Sequence, residues 1–329
     1  GHAIEMRLCA EDPRQDYLPQ TGPILRWDVP SGEGVRVDHG LLAGGELSPY
    51  YDSMVAKVIA YGPSRDSARI KLRRALHNLR LHGVQSNLDY LDAILAEEDF
   101  ASGDFHTGYV PAHFPAETLE AWAPSAVDLA VAALVIYWDD AWSLYREADF
   151  GSEASAWHSA NPTPERFSLR WEDAEHAVSL LHLGDRNCRI EVGEQVFEMQ
   201  AAECDGRIRH FFHQNVKRQA AYTRDGDALW LSFDHRCWVL QDATYEGVRP
   251  PPPGSDGRIL ARSDGRIVDV KVAVGDTVSA GQSIVSLEAM KMEFQLTTPV
   301  PATVKAVHVA AGDQVAGKQL LVELEPEAE

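Results

Sequence analysis

Lys291, held between Met290 and Met292 in the run Glu288-Ala289-Met290-Lys291-Met292, is the residue whose surroundings point to chemistry. A lysine on a turn is ordinarily a solvated cation, and that is the plain alternative. The flanking methionines argue for more, because a turn has no use for two polarisable apolar side chains, which read here as exposed. Lys291 also lies at the pivot of an internal repeat, and the combination fits an amine displayed for covalent modification. The second candidate is Arg7. Ile4, Met6 and Leu8 alternate with Glu5 and Arg7, so a strand puts Glu5 and Arg7 on one face, where they can pair. A structural ion pair is the plain account.

The elements that must position Lys291 come from the repeat. Asp264 to Glu288 and Pro301 to Glu325 superimpose at a constant offset of 37 residues, as from Ile267 to Val304, Gly275-Asp276 to Gly312-Asp313 and Leu287-Glu288 to Leu324-Glu325. Val268, Val270, Val272 and Val274 alternate with other residues, the period-two pattern of a half-buried strand. Gly-Asp closes both runs and suits tight turns. Two matched halves predict a pseudo-twofold β-unit. The segment joining the halves, Ala289 to Thr298, is expected to cross from one sheet to the other, with Lys291 at a solvent-facing tip.

Glu288-Ala289-Met290-Lys291-Met292 resembles the biotin attachment motif of biotin carboxyl carrier domains, and the repeat is similar to their flattened barrel of two four-stranded sheets. Lipoyl domains share that fold but usually carry Asp-Lys-Ala at the turn, so methionine on both sides favours biotin. The resemblance implies that biotin protein ligase amidates Lys291, framed by Met290 and Met292. Its ammonium, of free pKa about 10.4, would then no longer exist, and the long arm would carry CO2 between two sites.

The opening residues resemble the last third of biotin carboxylase, through Arg7 in Glu-x-Arg-x-x-Ala-Glu-Asp-Pro and through Ser48-Pro49-Tyr50-Tyr51-Asp52-Ser53-Met54-Val55-Ala56-Lys57. The resemblance covers Gly1 to Phe114. It implies that Arg7 faces the biotin ureido group and bicarbonate, its fixed guanidinium stabilising the enolate formed when biotin loses a proton. Arg65 to Gly83 reads as a helix with Ala68, Leu72, Ala75, Leu76 and Leu79 on an apolar stripe and Arg69, Lys71, Arg73 and Arg74 on a solvated face. Before Arg7 there is no Gly-rich phosphate loop, metal-binding Glu and Asn pair or ATP-grasp lysine. ATP and Mg2+ therefore belong to a complete carboxylase domain, and this chain alone is expected not to hydrolyse ATP. Its start at Gly1-His2, without initiator Met or leader, is expected to fall inside a domain.

After a break at Pro115 to Pro124, Ser125-Ala126-Val127-Asp128 reads as a capping-box helix start. The helix, to about Tyr145, is apolar on nearly every side from Leu129 to Trp138 and must be enclosed. Gly151 to Pro164 reads as an extended connection. Short strands at Ala177 to Leu183, Gln195 to Gln200, Arg207 to His213, Ala228 to Phe233 and Arg236 to Leu240, separated by Gly and Asp turns, predict a meander closed into a barrel around that helix. A barrel so filled, between carboxylase and carrier, resembles the subunit-contact domain of propionyl-CoA, 3-methylcrotonyl-CoA and geranyl-CoA carboxylase α subunits. His210, His213 and His235 lack thiol or carboxylate companions at fixed spacing, so no metal site is expected. Pro250 to Gly257 reads as a tether that lets a carrier reach two sites, or as a passive linker.

The expected fold class is multidomain, α+β and all-β: the C-terminal part of an ATP-grasp-type carboxylase domain (1–114), a β-barrel around a central helix (115–248), a linker (249–257) and a flattened biotinyl/lipoyl-type β-barrel (258–329). With 329 residues, net charge −20 and pI near 5.0, the chain is long enough for two or three domains and too acidic to favour nucleic acid or anionic membrane. Cys9, Cys188, Cys204 and Cys237 show no zinc spacing and are expected reduced, and the longest apolar run is far short of a membrane span. The compartment expected is the cytoplasm, or the mitochondrial matrix if a longer chain carries a transit peptide. The functional expectation is the α-subunit portion of an acyl-CoA carboxylase, working with a carboxyltransferase β subunit on a methylcrotonyl-like or geranyl-like acyl-CoA. A non-catalytic carrier and assembly subunit, or a lipoyl-bearing acyltransferase component, are the alternatives.

Overall fold

Ile4, Met6 and Leu8 are buried along one edge of the strand His2–Cys9, while Glu5 and Arg7 face outward, as their alternation requires. In the computed structural model, which describes residues 1–148, 162–205, 207–246, 257–290, 292–298 and 300–326, that strand pairs antiparallel with Met54–Gly62, and Val35–His39 completes the sheet. The helix Arg65–Asn78 covers the buried face with Ala68, Leu72, Ala75 and Leu76. It starts where the Ser64 side chain accepts the Ser67 N–H. The helix stops before the expected Gly83. Leu79 turns to extended backbone as the C-cap, and Arg80–His82 forms a strand against Arg26–Asp28. The basic residues are not all solvated either. Arg73 makes bonds of 2.8 and 3.1 Å to both Asp92 oxygens, and Arg69 reaches Asp66 at 2.7 Å and the Leu95 carbonyl at 2.9 Å. These arginines fasten the helix to its neighbour Leu88–Ala96.

The chain divides into two units, Gly1–Val110 with Val248–Glu329, and Pro111–Gly247. In the second, the Asp128 carboxylate accepts the Ser125 N–H at 2.8 Å and the Ser125 hydroxyl, starting the helix Ala126–Ala148. Leu129 through Ile136 are all buried, on every side of the helix. They sit in one apolar cluster with inward residues of an eight-stranded closed barrel, among them Leu169, Leu180, Ile190, Phe211, Leu231 and Leu240. Each strand pairs with the next in sequence. Asn187–Val192 and Val216–Asp225 are strands that the sequence reading passed over. The barrel closes where Glu165–Trp171 meets Arg236–Asp242 through only two registered pairs, Leu169 with Asp242 and Arg170 with Gln241. There the Arg170 guanidinium also grips both Glu246 oxygens at 2.7 and 2.8 Å. Residues 151–161 of the expected connection, and all of the Pro250 to Gly257 tether except Gly257, lie outside the described residues.

The carrier part consists of two four-stranded sheets. One runs Arg258–Leu260, Leu320–Pro326, Ala302–Val307, Thr277–Val278, and the other Met292–Thr297, Ser283–Ala289, Gly265–Val270, Gln314–Val315. Between them lies a core drawn wholly from carrier residues, including Ile267, Ile284, Leu287, Val304, Leu321 and Leu324. The repeat is visible bond by bond. Gly275 N–H donates to the Val304 carbonyl and Gly312 N–H to that of Ile267, both at 2.8 Å, and Val304 and Ile267 are themselves repeat mates. Asp276 accepts the Ala273 N–H, and Asp313 the Ala310 N–H, both at 2.8 Å. Gly275 and Gly312 adopt φ of 94° and 96°, a region open chiefly to glycine.

Two expectations about this part need correction. Val268 is exposed because an irregularity between Ile267 and Asp269 breaks the alternation and turns Ile267 inward instead, and Val274 is exposed because the strand ends at Val270 and Val274 lies in the following turn. Nor does the segment after Ala289 cross between sheets. Met292–Thr297 folds back as a hairpin beside Ser283–Ala289 in the same sheet, and the change of sheet follows Thr298.

Candidate functional site

The hairpin around Lys291 pairs an alternating strand, Met292–Thr297, with a strand buried continuously from Ile284 to Leu287, Ser283–Ala289. Val285 and Leu287 pair with Leu296 and Phe294, and all four are buried. The last pair is Ala289 with Met292, which leaves Met290 and Lys291 as the connection. Met290 has φ of 44°, as a two-residue hairpin turn demands. Lys291 itself lies outside the described residues. Gly265 passes directly behind this hairpin, and a Cβ there would overlap the Glu288 carbonyl.

The methionines are less exposed than the sequence suggested. Met290 is 7% accessible and Met292 half-buried. For Met292 the reason lies in the carboxylase-like part of the same unit: Leu18 is buried in one apolar cluster with Ala289 and Phe294, against which Met292 packs. Met290 borders a groove of about 690 Å³ whose walls include Tyr50, Tyr51, Arg266 and Gln314. An open groove beside a two-residue turn, with apolar side chains at its edge, fits a lysine-linked biotin, whose fused rings need an apolar rest and room for a polar urea.

Arg7 stands on the open face of its sheet, 68% exposed, with its Nε 3.5 Å from the Glu5 carboxylate. The pairing read from the sequence is therefore present. Lys57 lies directly opposite Arg7 in the ladder, with Asp38 opposite Lys57. Like charges facing each other across strands are unfavourable, and Glu5 beside Arg7 and Asp38 beside Lys57 offset that repulsion. Behind it the chain is firmly tied. The Asn87 side chain accepts the Cys9 N–H at 2.9 Å and donates to the Arg7 carbonyl at 3.3 Å. Burial, aided by the Glu11 charge, pushes the Cys9 thiol up to about 11, so it stays neutral.

Known proteins align along nearly the whole chain. Residues 5–112 match the biotin carboxylase C-terminal domain, 124–244 the BT domain of the methylcrotonyl-CoA carboxylase alpha-subunit, and 257–324 the biotin-requiring enzyme family. Region by region, the chain is similar to the α subunits of biotin-dependent acyl-CoA carboxylases of the methylcrotonyl and propionyl type. It is 26% identical to mouse mitochondrial methylcrotonoyl-CoA carboxylase subunit alpha, over 99% of this chain and 47% of that one. For the Arabidopsis thaliana counterpart the figures are 28%, 96% and 48%. For the propionyl-CoA carboxylase alpha chain of Ruegeria pomeroyi they are 29%, 99% and 51%. The chain thus spans about half the length of the curated relatives it matches. Among solved structures, the biotin carboxylase domain of Hydrogenobacter thermophilus 2-oxoglutarate carboxylase is 37% identical over 37% of this chain and 26% of that one, with a TM-score of 0.35.

Sequence reasoning missed the residues on which the hairpin rests. Leu18 and Thr21 carried no motif or periodicity. Tyr50 and Tyr51 stood inside a quoted motif, and their exposure of 79% and 74% is what such a pair beside a groove shows. Among the described residues, no group of three His, Cys, Asp or Glu side chains is placed to hold a metal ion, and no helix is long and apolar enough to cross a membrane.

Proposed function

We infer that this chain carries biotin on Lys291, attached by biotin protein ligase, and serves as the carrier-bearing portion of an acyl-CoA carboxylase α subunit. The observation that carries this reading is the hairpin. Ala289 pairs with Met292 across a two-residue connection, and that connection holds the lysine between methionines at the pivot of a bond-for-bond repeat. Biotin supplies a ureido nitrogen that accepts CO2 and later yields it to an acyl-CoA carbanion. Arg7, oriented by Glu5 and backed by Lys57, offers a guanidinium for negative charge that develops during that transfer. ATP and Mg2+ act in a complete carboxylase domain, and the helix-filled barrel is the contact region for a carboxyltransferase β subunit.

The acyl-CoA is a methylcrotonyl-like or geranyl-like one, a reading supported by the middle domain's match to the methylcrotonyl-type contact domain, although relatives of both the methylcrotonyl and propionyl type align. The cytoplasm is the compartment we assign. An avidin mobility shift on protein made with active biotin ligase, present in the wild type and lost in Lys291→Ala, tests the carrier role. Intact mass separates biotin from lipoate on the same lysine, and an unmodified Lys291 overturns the reading.

A further inference from the structure

Leu18 and Thr21 lie in a short stretch of the carboxylase-like part that touches the carrier in two chemically different ways. Leu18 is 5% exposed, yet the buried residues that share its cluster, Ala289 and Phe294, both come from the carrier hairpin. Three residues on, the Thr21 hydroxyl donates to the Asp264 carboxylate at 3.1 Å. The other oxygen of Asp264 accepts the Gly317 N–H at 2.7 Å, which fixes the carboxylate before Thr21 meets it. An apolar pad next to an oriented acceptor defines both where a carrier rests and how it is turned. Among the described residues, the carrier's own core contains no carboxylase residue, so this contact is an addition to a domain that is already packed.

The stretch is anchored to the Arg7 strand. Gln20 N–H donates to the Ala10 carbonyl, and Ala10 N–H to the Ser53 carbonyl, both at 2.8 Å. One pair of backbone bonds therefore ties the pad to the end of the strand carrying Arg7 and to the loop carrying Tyr50 and Tyr51. A hairpin seated on the pad is aligned with both.

We propose that Leu18 and Thr21 form the carboxylase-side dock of the carrier hairpin, with Asp264 as the carrier-side latch. They act as positioning residues that set how often the hairpin is seated there. This rests on the reading of Lys291 as the biotin site, but its test does not use biotin. Leu18→Ser and Thr21→Val are made in the 329-residue chain, and hydrogen peroxide oxidation of Met292 is followed by mass spectrometry. Met6, 9% exposed on the strand that carries Arg7 and in the same unit as Leu18, is the internal standard.

Losing one net hydrogen bond shifts a docked equilibrium about fivefold, and losing a buried leucine contact shifts it roughly tenfold or more. Met292, which packs against the Leu18 cluster, is therefore expected to oxidise faster by those factors while Met6 does not change. Met292 oxidation that stays at the wild-type rate in both variants overturns the dock. If Leu18→Ser also speeds Met6, that variant has lost its fold and Thr21→Val decides alone. The avidin shift on the same proteins reports separately on Lys291, so a chain that takes no biotin but shows faster Met292 oxidation keeps the dock and loses the carrier role.

Discussion

The two barrels of this chain solve the same packing problem in opposite ways. The middle one is wide enough to need a filler and takes a helix that is apolar all round, from Leu129 to Ile136. The carrier is flattened until its two sheets touch, and Ile267, Val304, Ile284 and Leu321 fill it without help. A helix-filled barrel makes one element indispensable, whereas a flattened one spreads its stability over matched turns. The rigid carrier can therefore present a hairpin at its end, while the middle domain offers a broad outer surface.

Breaking the filler is the harshest test of that contrast. Ile136→Asp buries an unpaired carboxylate against the barrel strands and is expected to cost about 4 kcal/mol or more, enough to unfold the middle unit. Limited proteolysis should cleave Pro111–Gly247 first while the avidin shift on Lys291 persists; loss of both together would make the barrels one cooperative unit. Gly265→Ala strikes the carrier where its backbone runs closest. Overlap with the Glu288 carbonyl predicts a loss of about 2–4 kcal/mol in thermal unfolding of the carrier. Its repeat mate Ala302 is already a buried alanine, so Ala302→Gly should cost only about 0.5–1 kcal/mol.

The carboxylase-like layer sharpens the comparison because it relies on charge. Burial alone would raise the Asp92 pKa, but hydrogen bonds from His77 and Arg73 outweigh it and hold the carboxyl well below its usual range. The stabilisation is present above the unfolded value of about 3.9 and is lost as pH falls through the folded one. Asp92→Asn is expected to lower stability by about 2 kcal/mol at pH 7 and to converge with the wild type in acid, as followed by urea unfolding across pH. Smallest of all, Asp276→Ala and Asp313→Ala each remove one turn bond and should cost about 1 kcal/mol. Unequal losses would show that the twofold is one of shape and not of energy.

The repeat, the capping box at Ser125, the enclosed helix and the Glu5–Arg7 pair were all legible, because each is a local pattern with a fixed period or offset. What was not legible came from distant partners. Val268 alternates correctly, yet it is exposed because a bulge fixes the face of the strand and no periodicity records a bulge. Arg69 and Arg73 look like a solvated stripe until the next helix supplies Asp92 and the Leu95 carbonyl. Met292 reads as exposed, since nothing near it in sequence announces the Leu18 cluster it packs against. The hairpin could be read from its residues, and its resting place could not.

The barrel seam has a consequence for mechanics. Leu169 and Arg170 hold the first strand to the last with two pairs, where the neighbouring strands share five or more. Under tension or heat the cylinder should part along that line, peeling Glu165–Trp171 away before any other strand moves. Arg170, clamped on Glu246, is then the rivet at the weakest join.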